Sequence, residues 1–298
     1  MQFAATLVAA DPATLMLAQT RAVQALASAG ARIGAPQQLG PSALDLMMDA
    51  EEATLPRLRQ AAREATERLS VDTCVQPAEG RKKKLLISDM DSTIVSVECI
   101  DELADYMGIK PQIAAITERG MKGEIDFETG VRERVAMLAG LPCADVDRCI
   151  AERVKLNPGA RALIATMKAG GADALLVSGG FTLFVEHVAN ELGFDGFQSN
   201  TLELADGRLT GKVVGPIFGS AQKLVTLKEE AAKRGLDLSQ TLAVGDGAND
   251  LAMIEAAGLG IAYHAQPIVA AKAAACVVHG DLTALLYFQG YRAEELAA

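Results

Sequence analysis

The sequence LLISDMDST, residues 85–93, decides how this chain is interpreted. Its apolar start, preceded by the basic run 81–84, predicts a short strand buried on both faces of a parallel sheet. Residues two apart on an extended segment point to the same side, so Asp89 and Asp91 should face one small volume. Two negative charges at such a short distance repel each other. A divalent cation, a shared proton or a phosphate with further cations must compensate them.

The same residues also suit a turn or the cap of a following helix, because Asp and Ser side chains bind nearby backbone amides. An isolated Asp-x-Asp does not separate a catalytic pair from such a turn, since short motifs recur by chance. The rest of the chain has to distinguish these two interpretations.

Composition excludes several functional classes. The chain has 298 residues, half of them apolar, which is enough for one large domain and a smaller one. A net charge of -10, a single basic cluster at 81–84 and the absence of Trp argue against nucleic acid and anionic membranes as partners. No apolar stretch approaches the length of a membrane span.

Cysteine usage and the N-terminus predict a cytoplasmic protein. Five cysteines are odd in number and form no CxxC pair, which indicates reduced thiols. The N-terminus lacks the basic and apolar regions of a signal peptide.

Residues 1–78 are predicted to form a small α+β domain. The pattern indicates a strand at 2–10, a helix at 13–29, strands at 32–39 and 43–48, a helix at 51–69 and a strand at 71–75. That order is the split βαβ arrangement of a ferredoxin-like domain. It resembles the ACT-like regulatory domains of some amino-acid metabolic enzymes, but a domain for packing or dimerisation explains the order equally well.

Residues 79–298 are predicted to form a doubly wound parallel α/β sheet, with the strand carrying Asp89 as its first strand. Residues 98–155 are almost entirely helical in pattern and interrupt the sheet as an insertion, well placed to cover a site. After it we predict strands at 172–177, 196–200, 241–244, 260–263 and 276–278, a hairpin at 201–214, and helices at 158–169, 181–192, 221–234, 249–257 and 268–274.

Further polar residues fall near the predicted strand ends. Ser178 and Gly179 follow one strand, Lys223 opens a helix, and Asp246, Asn249 and Asp250 follow another strand. Singly, such residues cap helices, face solvent or form turns. No GxxxxGK[ST] run exists and Gly245-Asp246-Gly247 lacks a third glycine, so two nucleotide-binding motifs fail.

Together these segments resemble the haloacid dehalogenase superfamily of phosphatases over residues 84–288. The motif DxDx[TV] corresponds to residues 89–93, the hydroxyl motif to Ser178, the helix lysine to Lys223, and GDGxND to residues 245–250. Residues 91–98 and 127–142, with Glu98, Phe127 and Arg134, resemble the insertion of the subfamily that hydrolyses phosphoserine.

The resemblance implies a Mg²⁺-dependent hydrolase that converts O-phosphoserine to serine through an aspartyl-phosphate, the last step of phosphorylated serine biosynthesis. Asp89 would be the nucleophile and Asp91 the acid and base. The expected metal ligands are Asp89, Asp246 and the Asp91 backbone carbonyl. The remaining implied residues hold the phosphate (Ser178, Gly179, Lys223, Asn249), hold the amino-acid head group (Glu98, Arg134) or support the site (Thr93, Phe127, Asp250).

Two alternatives stay open at this point. The first is a phosphatase or phosphotransferase of the same superfamily that acts on another small phosphomonoester. The second is an amino-acid-sensing regulatory protein whose N-terminal domain binds the ligand. The oligomeric state is also open, with a homodimer as one alternative.

Overall fold

The computed structural model describes residues 1–121 and 124–297 and arranges their strands in two sheets. The first sheet is antiparallel, and the predicted ferredoxin-like fold is confirmed by its strand order, β2-β3-β1-β4. Its elements are β1 (Gln2–Ala9), α1 (Pro12–Ser28), β2 (Arg32–Gly40), β3 (Ala43–Asp49), α2 (Leu55–Thr66) and β4 (Val71–Pro77). The domain boundary set at residue 78 stays a prediction.

Helix α1 forms where its sequence predicts and packs through one face. The carboxylate of Asp11 accepts hydrogen bonds from the backbone N–H groups of Ala13 and Thr14, both at 2.9 Å, and so caps the first turn. The apolar spacing of three and four residues places one stripe against the sheet. The residues of that stripe are buried: Leu15, Ala18, Ala22 and Leu26.

A central strand and a helical insertion follow. Strand β5 (Leu85–Ser88) is completely buried, and Asp89 comes directly after it rather than within it. The insertion consists of α3 (Cys99–Tyr106), α4 (Lys110–Met121), α5 (Phe127–Ala136) and α6 (Cys143–Arg153).

The second sheet has the order β11-β10-β9-β5-β6-β7-β8 and confirms the doubly wound α/β fold. Its remaining strands are β6 (Asp173–Phe181), β7 (Gly196–Ala205), β8 (Arg208–Val214), β9 (Thr241–Gly245), β10 (Leu259–Tyr263) and β11 (Ala275–Val277). Its helices are α7 (Ala160–Ala169), α8 (Thr182–Leu192), α9 (Ser220–Lys233), α10 (Leu251–Ala256), α11 (Pro267–Ala270) and α12 (Ala284–Phe288).

The hairpin predicted at 201–214 is confirmed, since β8 pairs antiparallel with β7 at the edge of the otherwise parallel sheet. Two other features differ from the sequence predictions. The strand predicted at 196–200 and the first arm of the hairpin are one continuous strand, β7, which pairs with β6 and then with β8. Helix α12 was missed because it has only five residues, too few for a periodic signal.

The two sheets share one apolar core. Val8, Leu39, Ala43 and Cys74 of the first sheet belong to the same buried cluster as Leu86 of β5. The opposite face of the first sheet packs on α1 and α2. Strands β1, β3 and β4 are therefore mostly buried on both faces, while the edge strand β2 is mostly exposed. The unit built on the second sheet covers one of the two faces. No helix within the described ranges combines the length and apolar character that a membrane crossing requires.

We predict that Leu46→Ala destabilises the protein by about 2–5 kcal/mol, because it removes a completely buried side chain and leaves a cavity. The matched control is Leu17→Ala on α1, where the leucine is 45% exposed. We expect that control to change the free energy of unfolding by less than about 0.5 kcal/mol. Urea unfolding followed by circular dichroism measures both. Equal effects of the two variants would contradict the packing of β3 against α1 and α2.

Candidate active site

The site lies where β5, β6 and β9 end. Ser88 pairs in parallel register with Leu176 of β6 and with Val244 of β9, so the residues that follow meet at one edge of the sheet. The backbone N–H of Asp89 donates to the carbonyl of Val244 at 3.0 Å and extends this pairing by one residue. The carboxyl ends of parallel strands are where open α/β sheets bind ligands.

A buried lysine joins two carboxylates beneath the site. Lys223 of α9 is completely buried, and its Nζ donates to Asp89 Oδ1 and to Asp250 Oδ1, both at 2.6 Å. Burial alone would lower the pKa of Lys223, but the charges and hydrogen bonds of the two carboxylates raise that pKa above its usual value. The lysine therefore stays charged and fixes one oxygen of Asp89.

Asp91 occupies a different environment from Asp89. Its Oδ1 accepts a hydrogen bond from the backbone N–H of Cys99 at 3.2 Å, at the start of the helical insertion. Desolvation, followed by the charge of Glu98, raises the pKa of Asp91 to about 8. A carboxyl group in this state holds a proton near neutral pH, as a general acid must.

The chain at residues 178–180, at the end of β6, passes close to the side chain of Asp91. Ser178 is buried, and its Oγ accepts from the backbone N–H of Gly180 at 2.9 Å. A Cβ on Gly180 would lie 3.0 Å from both Ser178 Oγ and Asp91 Oδ2, tighter than most real contacts. A side chain here would push Ser178 Oγ or Asp91 Oδ2 aside by a few tenths of an ångström, so glycine suits this close approach. Gly180 also lines the pocket and is a residue that the sequence-based assignment of Ser178 and Gly179 left out.

Asn200 of β7 supports this strand end and was also missed. Its Nδ2 donates to the carbonyls of Gly179 at 2.8 Å and Phe218 at 3.0 Å. Its Oδ1 accepts from the backbone N–H of Phe218 at 2.7 Å. Asn200 thus ties the end of β6 at Gly179 to the segment that leads into α9 and Lys223. No short motif surrounds it, because its three bonds join residues about 20 positions away.

The helical insertion closes the site into a pocket of about 410 Å³. Glu98 and Arg134 both line it, and the Oγ of Ser92 donates to Glu98 Oε1 at 2.7 Å. Burial brings the pKa of Arg134 below its usual value, and the charges of Asp101 and Glu98 offset only part of this effect. Asp101, Thr117 and Gln266 also line this pocket and were not among the predicted site residues.

The predicted site residues fall into two layers. The pocket walls include Asp89, Asp91, Glu98, Phe127, Arg134, Ser178, Gly179, Asp246 and Asn249. The other three are completely buried behind those walls: Thr93, Lys223 and Asp250. The Oγ1 of Thr93 donates to Asp246 Oδ1 at 3.4 Å, and Asp250 Oδ2 accepts from the backbone N–H of Gly247 at 3.1 Å.

The carboxylates suit a divalent cation. Asp89, Asp246 and Asp250 each offer an oxygen, and these three oxygens lie within 4.8 Å of one another. Desolvation and the charge of Asp89 raise the pKa of Asp246 to about 7, which shows how unfavourable the crowded anions are without a cation. Both oxygens of Asp250 already accept hydrogen bonds, from Lys223 and Gly247, which leaves Asp89 and Asp246 as the better carboxylate ligands.

Comparison with known proteins agrees with this geometry. The family model of haloacid dehalogenase-like hydrolases matches residues 86–255. A phosphoserine phosphatase of Streptomyces coelicolor is 44% identical over 243 residues, which cover 81% of this chain and 59% of that protein. One of Polaromonas sp. is 46% identical, over 68% of this chain and 88% of that protein. A solved structure of a probable phosphoserine phosphatase from Vibrio cholerae is 33% identical and superposes with a TM-score of 0.79, over 97% of this chain and 86% of that one.

The chain belongs to the haloacid dehalogenase-like hydrolases. Within that family it belongs with the phosphoserine phosphatases, to which its relatives at 41–47% identity are assigned. The Vibrio structure covers the N-terminal sheet as well, so the two-sheet arrangement is not peculiar to this chain.

We predict that Lys223→Met lowers the free energy of unfolding of the metal-free protein by about 3–5 kcal/mol, because it leaves Asp89 and Asp250 buried without their cation. The control is Lys228→Met on the same helix, where the side chain is exposed and the effect should be small. Chemical unfolding with a chelator present measures both. Comparable stability of the two variants would contradict the buried ion triad.

Proposed function

We propose that this chain hydrolyses O-phosphoserine to serine and inorganic phosphate, with Asp89 as the nucleophile and Asp91 as the acid and base. One observation carries the proposal. A single pocket is lined by both the Asp89 and Asp91 pair and the Glu98 and Arg134 pair. The first pair matches a phosphate ester and the second a zwitterionic amino-acid head group.

The first step transfers the phosphoryl group to the protein. Asp89 attacks phosphorus, a new bond forms between its carboxylate oxygen and phosphorus, and the bond from phosphorus to the serine oxygen breaks. The departing alkoxide is a poor leaving group, so Asp91 gives it a proton. Lys223 supports this step because its bond to Asp89 Oδ1 keeps the nucleophile ionised and oriented.

The second step regenerates the protein. Asp91, now a carboxylate, takes a proton from water, and the resulting oxygen attacks phosphorus as the bond to Asp89 breaks. Phosphate leaves, and Asp91 holds the proton for the next cycle. Asp91 lines the pocket and accepts a hydrogen bond from Cys99, and it makes none with Lys223. Its carboxyl group is therefore free for both proton transfers.

Phosphate and metal are held by residues of the sheet edge. Ser178, the Gly179 amide and Asn249 would contact the phosphate oxygens, where the transition state carries its charge. Lys223, buried behind the pocket wall, would add its positive charge beneath them. Asp89, Asp246 and the backbone carbonyl of Asp91 would hold Mg²⁺, which offsets the repulsion between the carboxylates and a phosphate dianion. The described carboxylates fit such a cation in donor type and spacing.

Residues of the insertion would recognise the head group. Arg134 presents a guanidinium that binds a carboxylate through two parallel hydrogen bonds, and Glu98 accepts from the substrate ammonium. Phe127 lines the same pocket and would cover the bound molecule. The proposed homodimer and the cytoplasmic location stay predictions.

Asp89→Asn should abolish phosphate release from O-phosphoserine, because the neutral amide is not a nucleophile towards phosphorus. The circular dichroism spectrum should be unchanged, since Asn has the same shape. Phosphate release is followed colorimetrically with saturating Mg²⁺, and the wild-type protein with a chelator serves as the second control. Turnover retained by Asp89→Asn would refute the nucleophile assignment, and turnover retained with the chelator would refute the metal requirement.

Arg134→Gln should lower kcat/KM for O-phosphoserine by about 10- to 100-fold, as expected for loss of hydrogen bonds between charged groups worth about 1.5–3 kcal/mol. Phosphoethanolamine lacks the carboxylate, so the same variant should leave its kcat/KM nearly unchanged. The control is Arg132→Gln on the same helix, whose guanidinium binds Glu128 on the surface. Equal losses with both substrates would show that Arg134 has no role in binding the carboxylate.

A further inference from the structure

Asp72 of β4 is a buried carboxylate that binds the catalytic unit. It is 2% exposed, and its two oxygens accept hydrogen bonds from three consecutive backbone N–H groups beyond β11. The distances are 2.8 Å to Val278, 3.1 Å to His279 and 2.7 Å to Gly280. Hydrogen bonds to an ionised group are about twice as strong as neutral ones, so the turn 278–280 is held firmly by the N-terminal sheet.

The turn 278–280 in turn holds His264. The backbone N–H of His264 donates to the carbonyl of Val277 at 2.8 Å, and its Nε2 lies 3.1 Å from the carbonyl of Gly280. A carbonyl only accepts, so this contact requires the tautomer with hydrogen on Nε2. His264 has φ of 44°, in the left-handed region that is unfavourable for a residue with a side chain. Such a conformation persists where surrounding bonds fix it.

His264 leads directly to the metal-binding loop. Two residues further on, the backbone N–H of Gln266 donates to the carbonyl of Asp246 at 3.0 Å, and Gln266 itself lines the catalytic pocket. A continuous series of hydrogen bonds and short chain segments therefore runs from Asp72 to Asp246. It connects the N-terminal sheet with the carboxylate that we assign to the metal.

We propose that Asp72 is a positioning residue for Asp246, acting through the turn 278–280, His264 and Gln266. The inference rests on the proposed function only in assigning the divalent cation to Asp246. Metal affinity depends on ligand positions to within a few tenths of an ångström, so a shift in the backbone at Asp246 weakens binding. The N-terminal sheet is thereby a structural part of the catalytic site and not an independent appendage.

Gln76 provides a matched comparison. It lies on the same strand, is 3% exposed, and its Nε2 donates across to the carbonyl of Phe288 at 2.6 Å. Phe288 belongs to α12, none of whose residues lines the catalytic pocket. Gln76→Ala therefore removes a buried bond between the two sheets without touching the path to Asp246.

The test measures metal binding without any substrate. Mn²⁺ is titrated into the wild type, Asp72→Ala and Gln76→Ala, and free Mn²⁺ is quantified by electron paramagnetic resonance. Asp72→Ala should weaken binding about tenfold, the lower end of the range for residues that orient metal ligands. Gln76→Ala should bind Mn²⁺ as the wild type does, although both variants should lower the thermal unfolding temperature.

The outcomes are distinct. Unchanged Mn²⁺ affinity in Asp72→Ala, or an equal loss in Gln76→Ala, overturns the inference. If Asp72→Ala does not fold, His264→Ala takes its place, since His264 is exposed and lies outside the buried interface. Unchanged affinity in that variant also overturns the inference. A wild type that fails to hydrolyse O-phosphoserine, while its Mn²⁺ affinity still depends on Asp72, refutes the proposed function and supports the positioning role.

Discussion

The catalytic site depends on the two hydrogen bonds that Lys223 donates to the carboxylates of Asp89 and Asp250. Asp89 and Asp250 reach the same buried volume from different segments, and neither could stay ionised there without a cation. Lys223 supplies one positive charge from a helix that begins after β8. The remaining negative charge of Asp89 and Asp246 then faces the pocket, where the proposed divalent cation and phosphate would complete the balance.

This charge arrangement also explains why the site needs so many supporting residues. A buried ion triad is favourable only when its geometry is fixed by additional hydrogen bonds. Asn200 fixes the segment before α9 against β6, and Asp250 fixes the loop 246–250 through Gly247. Residues outside the pocket therefore decide where the charges within it lie.

The sequence predicted the parts of the structure that depend on local signals. The carboxylates at residues 89 and 91 follow a short apolar run, and the buried stripe of α1 has helical spacing, so both were found without coordinates. Asn200, Gln266 and Asp72 were not found, because each acts through bonds to distant residues and sits in no motif. The continuity of β7 was missed for a related reason. One strand changes partner midway, from a parallel to an antiparallel neighbour, and tertiary pairing decides this where local pattern does not.

The segment between β5 and α3 links chemistry with recognition. Asp91, the proposed proton donor, accepts a hydrogen bond from the backbone N–H of Cys99, and Glu98 is the residue directly before Cys99. Ser92, with φ of 55°, turns the chain so that its hydroxyl reaches Glu98. The eight residues 91–98 thus fix both the group proposed to protonate the leaving oxygen and the group proposed to bind the ammonium. In phosphoserine the leaving oxygen and the ammonium nitrogen are separated by two carbons. The segment 91–98 is short and contains the strained residue Ser92, so it holds Asp91 and Glu98 at a fixed separation. We expect this to favour substrates whose leaving oxygen and ammonium are two carbons apart over longer phosphomonoesters, because two rigidly placed contacts orient the bound substrate.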